Sequence, residues 1–385
     1  MQTEKLYDKD AYLAHFCATV LSCREGKGGF EVILDRTVFF PEEGGQTADT
    51  GTLGEASVLD VRLQGGEILH ILDRPLAVGA RVAGEIDFPT RFRKMQNHTA
   101  EHMFSGICHQ RFGVANVGFH LGSRDVTVDF DRELSRECLL EAEREVNRAI
   151  LRCLPVTAEV PPPEVLATLT YRAKLSLTEG VRLVTVGDVD VCACCAPHVR
   201  NTGEIGVFKV LEAIRYKGGI RVHVKAGWDA LEDYCRRYDA TAAAGAMLSV
   251  PSEEILPAVC RLAEENKELA FALRGAKKDA LAARLAAVSP SEGNLVHFER
   301  EADGDLMLAA VNLLLPKAGG LVAVFGGEEG AYRFCIGGGA DLSPYSRQIL
   351  SAIGGKGGGK GEMLRGSATA TKQEIEKFFS AFRAE

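Results

Sequence analysis

Two short motifs that lie far apart in the sequence constrain the fold most strongly. The first is the pair His98 and His102, and the second is the run CACCAPH at residues 192–198, which sets three cysteines beside a histidine. Histidines at i and i+4 project from one face of a helix, as two ligands of one metal ion must. Either motif alone is a weak signal. Because each can complete the other, the two together predict a fold that brings both segments to one metal site.

The spacing leaves undecided which cysteine completes this site. Cys192, Cys194 and Cys195 all lie close to His198 in the sequence, and the spacing does not choose among them. Three histidines and one cysteine form a reasonable tetrahedral zinc set, whereas three protein ligands and a water are usual in catalytic zinc sites. Pro197 stiffens the turn before His198.

Two other kinds of chemistry fit parts of the pattern. The run HTAEH at residues 98–102 also matches H-x-x-E-H, the inverted zinc-protease signature, with Glu101 as general base and Glu179 as the third ligand. A nucleophilic Cys194 activated by His198 is a further alternative. The protease interpretation leaves Cys194 and His198 unexplained, and the nucleophile interpretation leaves the helix pair without a role.

Composition indicates an ordinary globular protein of a reducing compartment. Hydrophobic residues make up 46% and charged residues 25%, which argues against disorder. The N-terminal residues carry charges throughout, and no stretch approaches the ~20 apolar residues of a membrane span, so we expect a cytoplasmic protein. Eleven cysteines, an odd number, favour free thiols. A net charge of −8 excludes a uniformly basic nucleic-acid surface but allows a local basic face.

The hydrophobic period changes along the chain and predicts four parts. Residues 1–90 favour short strands, with the loop FFPEEGGQTADTG between them. Residues 91–227 favour a helix over 92–112, an amphipathic helix capped by Ser135, and strands around the cysteine cluster. Residues 228–290 favour a long helix or coiled-coil arm, with a surface helix hairpin as the alternative. Residues 291–385 favour a compact unit of strands and helices.

Several longer segments resemble one known family. HTAEHMFSG, VGFHLGSRDVTVDF and VGDVDVCACCAPHVRNTGEIGVFKV are similar to the editing domain of alanyl-tRNA synthetase. TVFFPEEGGQTADTG resembles the glycine-rich loop that precedes it, and the tail with GGKGGGKGEMLRGSA resembles the small C-terminal domain that this synthetase shares with DHH phosphoesterases. The resemblance covers nearly the whole chain and lacks the aminoacylation domain. The chain is thereby identified as a member of the freestanding alanyl-tRNA editing family, in its long form.

The resemblance implies an α+β fold. Its parts are an N-terminal β-barrel-like domain (1–90), an α/β editing core around a central metal-binding helix (91–227), a helical or coiled-coil arm (228–290) and a small C-terminal α+β domain of the DHH-associated type (291–385). It also selects the cysteine, so that the implied Zn²⁺ ligands are His98, His102, Cys194 and His198. This chain departs from the family in having Cys-Ala-Pro where Gly-Gly-Thr usually separates the last two ligands, and in having Glu43 where a third loop glycine is common.

The resemblance further implies a zinc-dependent hydrolase that removes wrongly attached serine, and also glycine, from alanine tRNA. Gln46 is then the candidate for a contact near the ester, and Thr127 the candidate for the seryl hydroxyl. Because RNA phosphates are bound by local basic residues, the tRNA-binding candidates are Arg91, Arg93, Lys94, Lys356 and Lys360. The arm and the C-terminal domain are expected to form a homodimer, to grip tRNA, or both. A zinc protease and a non-catalytic tRNA-binding partner of a synthetase remain as alternatives.

Overall fold

A computed structural model describes residues 3–122, 126–173, 180–300 and 303–383. The chain divides into two units, Met1–Ala243 and Ala244–Glu385. Both contain helices and sheets, so the predicted α+β class is confirmed. The finer domain boundaries at residues 90, 227 and 290 stay predictions. None of the helices in the described ranges combines the length and the apolar composition that crossing a lipid bilayer requires.

A closed ring of antiparallel strands forms the start of the first unit. The elements here are β1 (Glu4–Lys5), α1 (Leu6–Lys9), β2 (His15–Gly26), β3 (Gly29–Leu34), β4 (Arg36–Thr37), β5 (Gly51–Leu53), β6 (Ala56–Gln64), β7 (Glu67–Leu72) and β8 (Arg81–Ile86). The ring runs in the order β2-β3-β7-β6-β5-β8, and β8 pairs again with β2. Phe39 and Phe40 lie fully buried in the core of this part. The glycine-rich loop, between β4 and β5, is therefore anchored to a packed scaffold.

The rest of the first unit surrounds one buried helix. Its elements are α2 (Phe88–Phe112), β9 (Asn116–Leu121), β10 (Val126–Phe130), α3 (Arg136–Leu151), β11 (Val156–Glu159), α4 (Pro163–Leu166), β12 (Leu183–Val186), β13 (Asp190–Ala193), β14 (Phe208–Tyr216) and β15 (Gly219–Ala226), followed by α5 (Gly227–Leu248). One antiparallel sheet has the order β14-β15-β10-β9, and a second has the order β11-β12-β13. Both sheets contribute side chains to the core around α2.

Local chemistry sets the ends of the two long helices in this part. Asp87 caps α2 by accepting from the Thr90 amide at 3.1 Å, and Gly113 ends it in the left-handed region with φ of 65°. Ser135 caps α3 by accepting from the Cys138 amide, as the sequence predicts. Every residue of α2 from Met95 to Cys108 is buried. Polar side chains on this stretch are therefore held in a dry interior and need internal partners.

The second unit is built on a five-stranded sheet. Its elements are α6 (Ile255–Ala286), β16 (Leu295–Glu299), α7 (Gly304–Leu314), β17 (Val322–Gly326), β18 (Tyr332–Gly337), α8 (Ser346–Ala352), β19 (Lys356–Gly358), β20 (Met363–Ala368) and α9 (Lys372–Ala381). The strand order is β16-β17-β18-β20-β19, and only the β16–β17 pair within this sheet is parallel. Helix α7 packs on one face through Met307, Ala310 and Val311.

The predicted long helix over residues 228–290 is interrupted. Helix α5 ends at Leu248 and α6 begins at Ile255. Ser249 has φ of 55°, which no helical residue adopts, and Pro251 has no amide hydrogen to donate. These two residues give the physical reason for two helices in place of one.

Candidate metal centre and its cavity

Helix α2 carries the first half of the candidate metal centre. His98 and His102 lie one turn apart in its buried middle, and their ring centroids are 5.2 Å apart. Their exposed fractions are 2% and 3%, so neither is a surface histidine. Both rings therefore occupy one face of the helix inside the unit.

The turn after β13 carries the second half. Cys194 and His198 lie just beyond the end of this strand, and the Arg182 guanidinium holds the turn. It donates to the carbonyl oxygens of Cys194 at 3.0 Å and Ala196 at 2.9 Å. The Cys194 amide in return donates to the Arg182 carbonyl at 3.0 Å. This reciprocal bonding fixes the backbone from which the thiol and the imidazole project.

The fold brings the two halves together. The Cys194 sulfur lies 3.6 Å from Nε2 of His98 and 3.4 Å from Nε2 of His198. The His198 ring centroid lies 4.9 Å from that of His98 and 4.6 Å from that of His102. One possible ligand atom from each of the four residues lies within 4.8 Å of the other three. Such convergence of four donor atoms suits a single metal ion.

Hydrogen bonds outside this cluster set the tautomers of two imidazoles. His98 Nδ1 lies 3.0 Å from Gln46 Oε1, and because a carboxamide oxygen only accepts, Nδ1–H is the donor. The Thr99 hydroxyl donates to the Met95 carbonyl at 2.8 Å, so it accepts from His198 Nδ1–H at 3.0 Å. Both Nε2 atoms consequently keep their lone pairs and direct them at the cluster. Metal-binding histidines are commonly oriented in this way.

His102 has a charged outer partner. Its Nδ1 lies 3.7 Å from the Asp190 carboxylate, which is within ion-pair range but longer than a hydrogen bond. Arg172 holds Asp190 through two hydrogen bonds of 2.7 Å and also donates to the His102 carbonyl at 3.2 Å. Burial raises the pKa of Asp190, and Arg172 opposes that shift. Cys192 groups with His102 and Asp190 and not with the other cluster residues.

Burial favours the neutral forms of His198 and Cys194. It lowers the pKa of His198 well below its ordinary value, with a further contribution from the neighbouring His98. It also raises the pKa of the Cys194 thiol, and the adjacent Cys195 adds to that effect. Neutral imidazoles present the lone pairs that a metal requires, and a bound cation reverses the thiol shift by stabilising the thiolate. Three imidazoles and one thiolate form a tetrahedral donor set for Zn²⁺, so these residues fit zinc.

A cavity of about 840 Å³ opens onto this cluster. His98, His102 and Cys194 line it, together with the polar residues Glu43, Glu101, His109, Asn116, Arg172 and Arg182. Its volume lies in the range of roughly 300–1,000 Å³ that is usual for small-molecule sites. The cluster therefore borders a space in which a substrate group can be bound.

The glycine-rich loop forms part of the cavity wall. Gly44 and Gly45 both line it and have φ of 65° and 84°. A Cβ atom at Gly45 would lie 2.6 Å from the Phe119 carbonyl oxygen, so the loop can approach β9 only with glycine at this position. Gln46 follows directly, is fully buried and reaches the cluster through His98. Gln46 therefore lies beside the candidate metal centre, and its contact with a substrate near the ester stays a prediction.

Thr127 does not reach the cavity, so the seryl-hydroxyl role predicted for it requires correction. Val126 and Val128 pack in the core beneath α2. Since side chains alternate along a strand, Thr127 points to the opposite face, where it pairs with His120 and His223. It is absent from the described residues that line the cavity.

The basic residues at the start of α2 serve structural contacts. Arg91 is fully buried and ion-paired with Asp49, which corrects its predicted role in tRNA binding because no phosphate can reach the guanidinium. The Lys94 ammonium donates to the carbonyls of Thr47 and Ala48, and burial lowers its pKa. Arg93 pairs with two acidic side chains of α5 and is about one-third exposed, at 38%. Lys356 and Lys360 are exposed in the second unit.

Glu101 lies in the cavity wall within a polar network. It is 4% exposed and accepts hydrogen bonds from the Ser105 hydroxyl and from the Asn116 amide. Glu179, the third ligand that the protease interpretation requires, lies outside the described residues. Cys194 and His198 instead complete the histidine pair, which is the arrangement that the protease interpretation left unexplained.

Several residues of the site escaped prediction. Thr99 orients one histidine, Asp190 lies beside another, and Arg172 and Arg182 hold Asp190 and the cysteine turn. Asp190 carried a usable signal, because it lies two residues before Cys192 on one strand and so faces the same side. The sequence gives no such signal for the two arginines, because each acts only through tertiary contacts.

Comparison with known proteins agrees with this geometry. Residues 181–223 match the family described as the threonyl and alanyl tRNA synthetase second additional domain, a segment that includes Cys194 and His198. The alanine–tRNA ligase of Methanothrix thermoacetophila is 31% identical over 95% of this chain, but the chain spans only 42% of that ligase. The chain is thus similar, over residues 181–223, to the second additional domain of these synthetases.

Two relatives of similar length narrow the similarity further. The alanyl-tRNA editing protein AlaX-L of Pyrococcus horikoshii is 29% identical over 97% of this chain and 96% of its own length. The alanyl-tRNA editing protein Aarsd1 of Rattus norvegicus is 28% identical over 96% and 95%. The chain is a homologue of the alanyl-tRNA editing proteins, and the resemblance found in its sequence is confirmed. The solved C-Ala domain of Aquifex aeolicus alanyl-tRNA synthetase covers 22% of the chain at 17% identity with a TM-score of 0.19, too low to support an inference about fold.

Proposed function

We propose that this protein is an aminoacyl-tRNA deacylase that hydrolyses mischarged Ser-tRNA(Ala) and Gly-tRNA(Ala) in trans, with Zn²⁺ as its cofactor. The observation that carries the proposal is the buried cluster of His98, His102, Cys194 and His198 at the wall of a substrate-sized cavity. The names of the two relatives of matching length support the tRNA as substrate.

The proposed reaction corrects an error that substrate binding in the synthetase alone cannot prevent. A synthetase pocket that accepts alanine also admits glycine, and it rejects serine only weakly, because one methyl or hydroxyl group changes binding by roughly 1–3 kcal/mol. A second site that destroys the wrong product removes the error. That site needs a hydrogen-bonding partner for the serine hydroxyl. It should offer no favourable contact that increases affinity for the alanine methyl.

The chain's own residues prepare the site for ester cleavage. When bound, Zn²⁺ supplies a positive charge that polarises the ester or lowers the pKa of a water, or that positions the amino group of the substrate. Gln46 and Thr99 hold two of the imidazoles through hydrogen bonds, and the Asp190 carboxylate lies 3.7 Å from the third. The Gln46 amide nitrogen is buried without a partner among the described residues. It is our candidate donor to the substrate near the ester.

The deciding experiment measures hydrolysis and metal content on one sample. Ser-tRNA(Ala) and Gly-tRNA(Ala) should lose their amino acid at least tenfold faster than Ala-tRNA(Ala), with about one zinc per chain. Cys194→Ala should abolish both zinc binding and hydrolysis. Cys17→Ala, which removes an exposed thiol of the same unit, should change neither. Equal rates for serine and alanine would contradict the editing proposal, and full activity of Cys194→Ala would contradict the zinc assignment.

We also propose that the protein is a homodimer. Helix α6 exposes Leu262, Leu269 and Leu273, which are spaced by seven and four residues, as in a coiled-coil seam. The chain alone should therefore have twice its 41.5 kDa mass by light scattering. Leu269→Glu should yield monomers, whereas Glu268→Gln, an adjacent change outside the seam, should not.

A further inference from the structure

An acidic residue, Glu43, lies in the wall of the cavity at the metal centre. It directly precedes the two glycines of the glycine-rich loop, and it lines the cavity together with Gly44, Gly45 and Cys195. Its side chain is half-buried. Glu43 and Cys195 are also two of the positions at which this chain departs from the family that it resembles. Whatever these two residues do is therefore a property of this chain.

A tight turn fixes the direction of the Glu43 side chain. The backbones of Glu43 and Gln46 exchange two hydrogen bonds, of 3.2 Å and 3.1 Å, and form an antiparallel bridge. Gly44 and Gly45 between them both have positive φ, as a type I′ turn requires. Residues opposite each other across such a bridge project to the same side, with Cβ atoms roughly 4.5–5.5 Å apart. Glu43 is therefore directed to the side from which Gln46 reaches His98.

The Glu43 carboxylate lies next to the candidate metal centre. It accepts a hydrogen bond from the Cys195 thiol, and Cys195 directly follows the cluster residue Cys194 in the chain. The carboxylate is therefore close to the backbone that carries one of the four cluster residues. A molecule that contacts both Gln46 and the cluster from inside the cavity comes within reach of Glu43.

Glu43 has the capacity to bind a cationic group. Among the described residues, no ion pair includes Glu43, and the two arginines that line the same cavity have other partners. Arg172 pairs with Asp190, and Arg182 donates to two backbone carbonyls. A carboxylate offers about four lone-pair sites to hydrogen-bond donors. The Cys195 thiol uses one of them, so the carboxylate can accept further donors from a ligand.

An aminoacyl ester brings such a donor into the cavity. Its protonated α-amino group, like a lysine ammonium, has three N–H donors and no acceptor, and it is attached to the carbon beside the ester carbonyl. A cationic metal centre repels this group, so a carboxylate is needed to hold it close to the ester. Glu101, the other carboxylate of the wall, already accepts from Ser105 and Asn116. Glu43 is the better placed of the two.

We propose that Glu43 binds the α-ammonium group of the aminoacyl ester and thereby restricts this site to esters of free amino acids. The inference rests on the deacylation proposed above, because it names a binding partner for the substrate of that reaction. It assigns the amino group to Glu43 and leaves the Gln46 amide as the donor near the ester. An ester that carries a hydroxyl in place of the ammonium should consequently be a poor substrate.

The test compares two esters of alanine tRNA with the full chain. Ser-tRNA(Ala) carries the ammonium, and glyceryl-tRNA(Ala), made from it by deamination with nitrous acid, carries a hydroxyl instead. The ratio of kcat/KM for the two esters, the amino-group preference, is measured for the wild type, Glu43→Gln and Glu43→Asp. Glu42→Gln is the matched control, because Glu42 is the adjacent exposed glutamate and is absent from the described residues that line the cavity. Circular dichroism and zinc analysis check every variant.

Glu43→Gln should lower the amino-group preference by roughly tenfold or more, as expected for the loss of a hydrogen bond between charged groups. It should leave hydrolysis of glyceryl-tRNA(Ala) and the zinc content nearly unchanged. Glu43→Asp keeps the charge and should retain most of the preference, and Glu42→Gln should retain all of it. An unchanged preference in Glu43→Gln would overturn the proposal. An equal loss for both esters would overturn it as well, because Glu43 would then only support the loop.

A binding measurement separates this inference from the deacylase proposal. Adenosine that carries serine as a 3′-amide has no ester to cleave, and its glyceryl counterpart lacks the ammonium. By calorimetry the wild type should bind the seryl amide roughly tenfold more tightly or better, and Glu43→Gln should bind both amides with similar Kd. If the wild type shows this difference but hydrolyses neither tRNA ester, the deacylase proposal alone fails. If it binds both amides equally, or neither, the role of Glu43 is refuted.

Discussion

Each histidine of the cluster has a different kind of outer neighbour. His98 donates to a carboxamide, His198 to a hydroxyl, and His102 faces a carboxylate. The hydroxyl of Thr99 has a second role, because it also accepts a hydrogen bond from the Val199 amide at 3.3 Å. One small side chain therefore orients a ligand and anchors the turn that carries it.

At the residue scale, Thr99→Val should weaken the metal site more than the fold. It leaves the buried His198 Nδ1–H without its acceptor, at a cost of about 1–3 kcal/mol in unfolding free energy. Loss of an outer partner commonly lowers metal affinity by roughly 10–100-fold. Competition with a chromogenic chelator measures the affinity. Thr99→Ser keeps the hydroxyl and should stay within about threefold of the wild type; similar losses in both variants would refute the hydrogen-bond explanation.

At the scale of elements, α2 is the part of the chain that assembles the site. Apolar periodicity predicted a helix over residues 92–112 with its histidine spacing, and the structure begins this helix four residues earlier, at Phe88. The periodicity could not predict that the polar face of α2 is also buried. Arg91 looks like a surface arginine in the sequence, yet Asp49 and the Val38 carbonyl enclose it, and both of those residues precede α2 in the strand-rich part.

Arg91→Met should therefore destabilise the protein strongly. It leaves the buried Asp49 carboxylate without its cation, which typically costs about 3–5 kcal/mol. Arg93→Met is the matched control, because its ion pairs are partly exposed and such pairs contribute about 0–1 kcal/mol. Urea unfolding measures both. Equal effects of the two substitutions would contradict the distinction between a buried anchor and a surface pair.

The strand ring contains a buried histidine outside the cluster, and its burial has a measurable consequence. His70 of β7 is fully buried between the Thr37 hydroxyl at 2.8 Å and the Val32 carbonyl at 3.2 Å, and burial lowers its pKa from 6.5 to about 4. Between these values the unfolded chain binds a proton that the folded chain does not. Stability is therefore complete above pH 6.5 and is lost as the pH falls toward 4.

The loss attributable to His70 should amount to roughly 3 kcal/mol, since one pKa unit corresponds to about 1.4 kcal/mol. His70→Gln should flatten the fall in unfolding free energy between pH 6.5 and 4. His15→Gln, at an exposed position of β2, should leave the profile as it is. A His70→Gln profile as steep as that of the wild type would assign the acid sensitivity to other groups.

At the scale of the whole molecule, the metal site belongs to one unit. All four cluster residues and their partners Gln46, Thr99 and Asp190 lie within Met1–Ala243. A segment of residues 1–249, expressed alone, should consequently bind about one zinc, and a segment of residues 250–385 should bind none. Zinc analysis of both segments checks this. Loss of zinc from a folded 1–249 segment would show that the second unit helps to form the site.

The sequence could predict the four cluster residues but not all that surrounds them. Short-range spacing and the family resemblance lead to His98, His102, Cys194 and His198, and the fold does bring these together. Thr127 and Arg91 were misjudged because sheet face and burial are tertiary properties.

The order in which the cluster residues occur in the chain has a consequence for biosynthesis. His98 and Cys194 are separated by 96 residues. Translation proceeds at ~5–20 residues per second, so the histidine pair emerges roughly 5–20 seconds before its partners. During that interval a nascent chain presents an incomplete, two-histidine site, because the remaining ligands have not yet been synthesised or still lie within the ribosome. Loading with the correct metal therefore has to be completed late in synthesis or after release, when the intervening strands have folded.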